Sequence, residues 1–140
     1  MLPGVQVTRR TDYAIRILLE LARADIGEPV SVRTLAEDQC VPYAFARSIQ
    51  RDLVAAGLVE AHRGAAGGLT LMRPAERITA LDVVEAIQGP VSCSVCTSDP
   101  DWCERSAQCR MHRVWEGADK LLEDYLGSKT LAGLVSEQGK

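Results

Sequence analysis

Near the start of the chain the apolar positions recur with a helical period. Ala14, Ile17, Leu18, Leu21 and Ala22 fall at i, i+3, i+4, i+7 and i+8, one face of an α-helix. Thr8 or Thr11 supplies an N-cap, Asp12 favours the positive end, and Gly27 and Pro29 close the segment. A second, narrower face follows in Val32, Leu35 and Ala36, capped by Ser31. After a short break at Cys40–Val41, Pro42 is preset for the first turn of a third helix. There Phe45, Ile49, Leu53 and Ala56 mark an apolar side, and Gly57 suits the left-handed C′ position. Phe45 is therefore expected in the core, and Cys40 is expected to be a small buried residue in the turn.

The period then switches from helix to strand. Leu58–Ala61 and Leu69–Met72 are short strands around a glycine-rich turn with Gly64, Gly67 and Gly68. Helical spacing returns from Ile78. Thr79 and Asp82 form a capping-box pair, Ile78 can staple onto Val83, and Gly89-Pro90 ends the segment. A last long helix spans about 111–126. Val114, Ala118, Leu121, Leu122 and Tyr125 share one side of it, and Trp115 and Leu126 widen the stripe. A short helical turn, TLAGLV, precedes a polar tail. Two helices joined by a tight turn and followed by a hairpin make a winged helix. The expected fold class is mainly α with a small β-hairpin wing: a winged helix-turn-helix plus a long C-terminal dimerisation helix, whose broad stripe either packs back on its own domain or, as expected, pairs with the same helix of a second copy. Residues 1–89 are assigned to DNA binding, 90–112 to a cysteine-rich loop, and 113–140 to the dimerisation helix and tail.

Composition adds little until it is divided. The 140 residues are 46% hydrophobic and 25% charged, with net charge −3. Residues 1–74 hold 9 Arg, no Lys and 8 acids, for +1, whereas residues 75–140 hold 7 basic and 11 acidic residues, for −4. The cations of the first half are all guanidinium, the group suited to phosphates and guanine edges. No apolar run is long enough for a membrane span, and the N-terminus lacks the apolar core of a secretory signal. A cytoplasmic location is expected, where thiols stay reduced and clustered cysteines point to metal or redox chemistry.

Four of the five cysteines crowd one stretch: Cys93-x2-Cys96-x6-Cys103-x5-Cys109-x2-His112. Four soft ligands in one irregular loop suit zinc or an iron–sulfur cluster, and the ligand types exclude neither. Trp102 and Trp115 flank the loop, either shielding it or packing in the core. On the third helix, Tyr43, Ala44, Arg47 and Ser48 lie near the N-terminal turns, where base edges are met. Arg47 carries a fork matching guanine O6 and N7. Arg51 lies one turn on, nearer the phosphates, and His62 and Arg63 stand at the wing tip.

The segment SVRTLAEDQCVPYAFARSIQRDLVAAGLVEAHRGAAGGLTL resembles the DNA-binding half of the IscR/NsrR (Rrf-type) family of bacterial transcription regulators. The AAGLVEA step and the RGAAGGLTL wing carry most of the likeness. TDYAIRILLELA resembles the family's first helix and LDVVEAIQGP its fourth. The cysteine loop, CRMHRVW and TLAGLV fall where the family has its cluster segment and dimerisation helix. The resemblance implies a homodimer on an operator in double-stranded DNA and an iron–sulfur cluster, 2Fe–2S or 4Fe–4S. Cys96, Cys103 and Cys109 match the family's trio, with a first gap of six where five is typical. Its IscR-like members place a histidine where His112 stands, and its NsrR-like members an aspartate where Asp12 stands. Cys93 is extra to both patterns, but its two-residue gap to Cys96 makes it the expected fourth ligand beside Cys96, Cys103 and Cys109, with His112 or Asp12 as the alternatives. The expected function is a transcription regulator whose operator affinity follows a cluster sensing redox state, nitric oxide or iron supply. A structural zinc site and a thiol-only redox switch are the alternatives. An enzyme is not expected: Cys93-Ser-Val-Cys96 follows no strand of a thioredoxin-like unit, and no phosphate loop or Ser-His-Asp set is present.

Overall fold

A computed structural model describes residues 6–24, 27–99, 101–105 and 107–138. Helix α1 (Arg9–Arg23) starts where Thr8 Oγ1 accepts the Thr11 N–H, and it buries Ala14, Ile17, Leu18, Leu19 and Leu21. Helices α2 (Val32–Asp38) and α3 (Tyr43–Ala55) form the helix-turn-helix. Ser31 caps α2 as expected, and Leu35 and Ala36 fill its buried side. Both helices end in Schellman closures. After α2, Cys40 N–H reaches Glu37 O and Val41 N–H reaches Ala36 O; after α3, Gly57 N–H reaches Val54 O and Leu58 N–H reaches Leu53 O. The motif demands a left-handed C′ residue. Gly57 fills that place at φ +74°. In α2 the place falls to Cys40, at φ +54°, whose side chain is exposed. The expectation of a buried Cys40 is therefore corrected: the turn closes through its backbone and directs its thiol outward.

Phe45 is a second correction. The core side of α3 is Ala46, Ile49 and Leu53, and Phe45 stands beside that stripe, 47% exposed. Spacing to Ile49 and Leu53 fits i+4 and i+8, but the buried arc is centred nearer Ala46. Ala56, placed on the apolar side by the same spacing, is exposed at the end of α3.

Strands β1 (Val59–His62) and β2 (Gly68–Leu71) pair antiparallel from Val59↔Leu71 to His62↔Gly68. Val30 adds an isolated bridge to Leu69, with both backbone hydrogen bonds at 2.8–3.0 Å. This lashes the wing to the α1–α2 connection. The close approach requires Gly68, because a Cβ there would lie 2.3 Å from the Val30 carbonyl oxygen. Gly68→Ala is expected to lower unfolding stability by about 2–3 kcal/mol, the usual weight of backbone strain with loss of a ladder contact. An unchanged urea midpoint would show that the wing is not held at this point.

Helix α4 (Ala80–Gln88) begins with the capping box: Asp82 N–H donates to Thr79 Oγ1, and Thr79 N–H donates to Asp82 Oδ2. Ile78 and Val83, the staple pair, are fully buried. A short helix α5 (Val95–Ser98) lies within the cysteine loop, followed by α6 (Arg110–Gly127) and α7 (Leu131–Gln138). Helices α3, α4 and α7 pack on α1, and α6 lies against α4. The α6–α7 junction is stitched to the start of α4 by Ala80 N–H to Lys129 O and Leu131 N–H to Ile78 O. Among its described side chains helix α6 buries Asp119; of its apolar stripe Ala118, Leu122 and Leu126 are half-buried, while Val114, Leu121 and Tyr125 are all more than half exposed. No described helix is long and apolar enough to cross a membrane.

Candidate nucleic-acid interface and cysteine centre

The outward side of α3 follows from its inward one. With Ala46, Ile49 and Leu53 buried, Tyr43, Ala44, Arg47 and Arg51 are exposed. They do not project independently. Arg47 Nη1 donates to the Tyr43 hydroxyl at 3.2 Å, and Arg33 of α2 stacks its guanidinium 4.4 Å from the Tyr43 ring centre. The phenol is held below its usual pKa, chiefly by the Arg47 hydrogen bond and then by the charges of Arg47 and Arg33, with desolvation opposing. Two cations are thus steadied on one ring at the turn between α2 and α3.

Ser48 behaves differently from its neighbours. Its hydroxyl accepts from Arg10 Nη2 at 2.8 Å, and the same nitrogen reaches Asp52 Oδ2 at 2.6 Å. Arg10 therefore locks α1 across α3, and Ser48 serves that lock in this structure. At the wing, His62 Nε2 lies 2.9 Å from Thr70 Oγ1 across the hairpin, while Arg63 stays exposed at the tip. Arg33 and Arg10 escaped the reading of the sequence because their partners lie on other helices.

The cysteine loop runs from the end of α4 to the start of α6. Cys96 is buried on α5, and its Sγ lies 3.2 Å from His112 Nδ1 and 3.2 Å from Ser94 Oγ. His112 Nε2 faces Glu116 Oε1 at 2.8 Å, one helical turn along α6. Glu116 is thus a partner to His112 that the i,i+4 spacing could have revealed. Cys93 makes its own contacts with α6. Its N–H donates to the buried Asp119 carboxylate at 2.7 Å, and its Sγ donates to the Trp115 carbonyl at 3.3 Å. Burial pushes the Cys93 thiol up, and the Asp119 carboxylate adds to the rise. Cys103 and Cys109 are partly exposed in the loop. Among the described residues no three His, Cys, Asp or Glu side chains converge as a metal-holding group. Asp12 stands on α1 in an ion pair with Arg16 at 2.8 Å. Trp102 and Trp115 are exposed, 64% and 37%, so neither packs in the core as the sequence allowed.

The donor set itself fits a soft metal centre: four thiols and an imidazole lie within twenty residues. Cys96 and His112 already meet at a separation compatible with two ligands of one metal. A carboxylate on the far imidazole nitrogen is the usual partner of a metal-binding histidine.

Comparisons with known proteins agree with this architecture. The pattern of the Rrf2 family, described as "Iron-dependent Transcriptional regulator", matches residues 7–137. The HTH-type transcriptional repressor NsrR of Streptomyces coelicolor is 33% identical over 133 residues, covering 94% of this chain and 89% of that protein. The solved structure of CymR, titled the global cysteine regulator of B. subtilis, superposes with a TM-score of 0.74 at 28% identity, covering 98% of both chains. IscR of T. potens superposes at 0.72 with 28% identity, covering 96% of this chain and 89% of that one.

Proposed function

Because the chain belongs to the Rrf2 family of iron-dependent transcriptional regulators, we propose that it is a homodimeric operator-binding protein whose hold on DNA is set by a metal centre in the 93–112 loop. The observation that carries this reading is the contact of Cys96 with His112, itself backed by Glu116, in the segment that joins α4 to α6. Cys96, Cys103 and Cys109 would hold an iron–sulfur cluster. His112 is favoured as the fourth ligand over Cys93, whose thiol is turned to a backbone carbonyl, and over Asp12, which is paired with Arg16. When bound, such a cluster would supply a redox-active iron centre that oxygen can oxidise and nitric oxide can attack.

The chain's own residues connect that loop to the reading helix. Gln88, the last residue of α4, accepts the Thr8 N–H at 3.1 Å and the Thr11 hydroxyl at 2.7 Å on α1. Two residues from Thr8, Arg10 grips Ser48 and Asp52 of α3. At the other end the α6–α7 junction is bound to the start of α4. A change of order between Gly89 and α6 therefore acts on both the dimer helix and the frame carrying α3. Half-sites lie about 34 Å apart on one side of B-DNA, so a modest rotation of the two copies spoils the fit.

On the DNA side, Arg47 and Arg33, steadied by Tyr43, would meet base edges and phosphate, Ala44 would lie against the bases, and Arg51 and Arg63 would meet the backbone and the minor groove. His62 supports the hairpin beside Arg63. The test is enrichment of duplexes from a randomised pool by the anaerobically purified protein. Arg47→Ala is expected to weaken binding to the enriched duplex by roughly 5- to 150-fold, the weight of one bidentate base contact. Uniform weakening on unrelated duplexes would assign Arg47 to phosphate instead.

One observation favours a second reading. Cys96 and His112 touch while no three-donor group is assembled among the described residues. Cys103 and Cys109, partly exposed in the same loop, suit a switch worked by cysteine oxidation alone. Iron and sulfide analysis separates the two: a brown, iron-containing protein supports the cluster, and a colourless, iron-free one supports the thiol switch or zinc.

A further inference from the structure

The reading helix carries an aromatic side chain that the core does not use. Phe45, the single phenylalanine of the chain, lies in the first turn of α3 with 47% of its surface exposed. A single exposed apolar side chain is ordinary by itself; this one stands in the first turn of the helix that also presents Arg47. Its ring is held in place: Tyr13 of α1 meets it edge to face, with centroids 6.1 Å apart and planes at 68°. Behind Tyr13, the Arg16 guanidinium lies 5.7 Å from the tyrosine ring, and Arg47 and Arg33 flank Tyr43 on the neighbouring part of α3. These guanidinium groups lie against the Tyr13 and Tyr43 rings and not against Phe45 itself, and Arg16 is also paired with Asp12. An exposed apolar ring on a helix turn that also presents Arg47 suits a polyanion carrying apolar groups between its phosphates.

We infer that Phe45 is a base-reading side chain that takes up the C5-methyl group of a thymine in the major groove. The inference rests on the proposed reading of the chain as a duplex binder and adds to it a specificity determinant. In the major groove the thymine methyl is the apolar mark among the base edges, and aromatic or aliphatic contact is the way a protein selects it. Arg47 recognises hydrogen-bond acceptors and cannot supply that discrimination. Phe45 stands on the α1 side of α3, about 200° round the helix from Arg47, so it would meet a base separate from the one Arg47 meets.

The experiment uses the full-length protein and the duplex it enriches from the randomised pool. Each thymine of that duplex is replaced singly by deoxyuridine, which lacks only the methyl group, and affinity is measured by fluorescence anisotropy at fixed salt. The expected result is that one thymine per half-site loses about three- to fivefold on replacement, the weight of one buried methyl. Phe45→Ala should bind the thymine and uracil duplexes equally, and Phe45→Leu should keep part of the difference. Circular dichroism melts of both variants, whose changed side chain is exposed, confirm that they are folded. An enriched duplex at which no thymine methyl matters, or a thymine preference that survives in Phe45→Ala, overturns the inference and leaves the DNA reading intact. Failure to enrich any duplex overturns the DNA reading and the inference with it.

Discussion

Replacing Leu121 by glutamate should leave a folded protein that sediments as a monomer and binds its enriched duplex about a thousandfold more weakly, toward the level of non-specific binding. Leu121 is 72% exposed on α6, so a polar side chain there removes nothing from the fold of one chain. Its neighbours on the same side, Val114 and Tyr125, are also uncovered, at 51% and 62%. In the proposed dimer this stripe of the 18-residue helix is covered by the same helix of a second copy. A charge set into that contact meets no partner and is desolvated, which dissociates the pair. Each monomer then offers one reading helix, and the second half-site is lost. Sedimentation and anisotropy on the same sample decide the matter. A variant that stays dimeric places the contact elsewhere, and a wild-type protein that is already monomeric refutes the dimer.

The second large effect is expected at Cys96. Serine keeps the size and the hydrogen-bonding capacity toward Ser94 and His112, and exchanges the sulfur for a poor iron ligand. Cys96→Ser purified without oxygen should hold roughly a tenth or less of the wild-type iron, at least the loss seen when a supporting residue of a metal site is removed. Its visible absorbance should disappear, and its duplex affinity should no longer respond to chelator or air. Cys40→Ser is the matched control, since Cys40 stands exposed in the α2–α3 turn. It should keep both the iron and the response. Full iron in Cys96→Ser would remove Cys96 from the ligand set.

Features fixed by neighbours in sequence were legible before any coordinates. The periodic stripe of α1, the Ser31 cap, the Thr79–Asp82 capping box and the left-handed Gly57 each depend on a few adjacent residues, and each stands where the pattern put it. The wing was legible because its glycines and alternating strands are local as well. The exposure of Phe45 is not legible from spacing, because it lies at the edge of the buried arc, where helical spacing is ambiguous. The position of Tyr13, 32 residues earlier, settles how far the ring is covered. Cys40 was misjudged because burial was inferred from residue type, while a Schellman closure dictates its backbone and turns its side chain outward. In the candidate site the order of the thiols was visible, but their separate environments were not. Cys96 faces His112, whereas Cys93 is engaged by Asp119 and Trp115 from α6, contacts that depend on how α6 docks. The Arg10 lock and the Arg33–Tyr43 stack likewise join residues on different helices.

The most direct test compares duplex-binding isotherms of the anaerobically purified, iron-loaded protein with those of the same preparation after iron removal, at one salt concentration. The expected result is a shift in affinity of roughly 5- to 150-fold, the usual size of coupling between two sites. Superimposable isotherms from a form that holds iron and a form that does not would contradict control of operator binding by the cysteine loop.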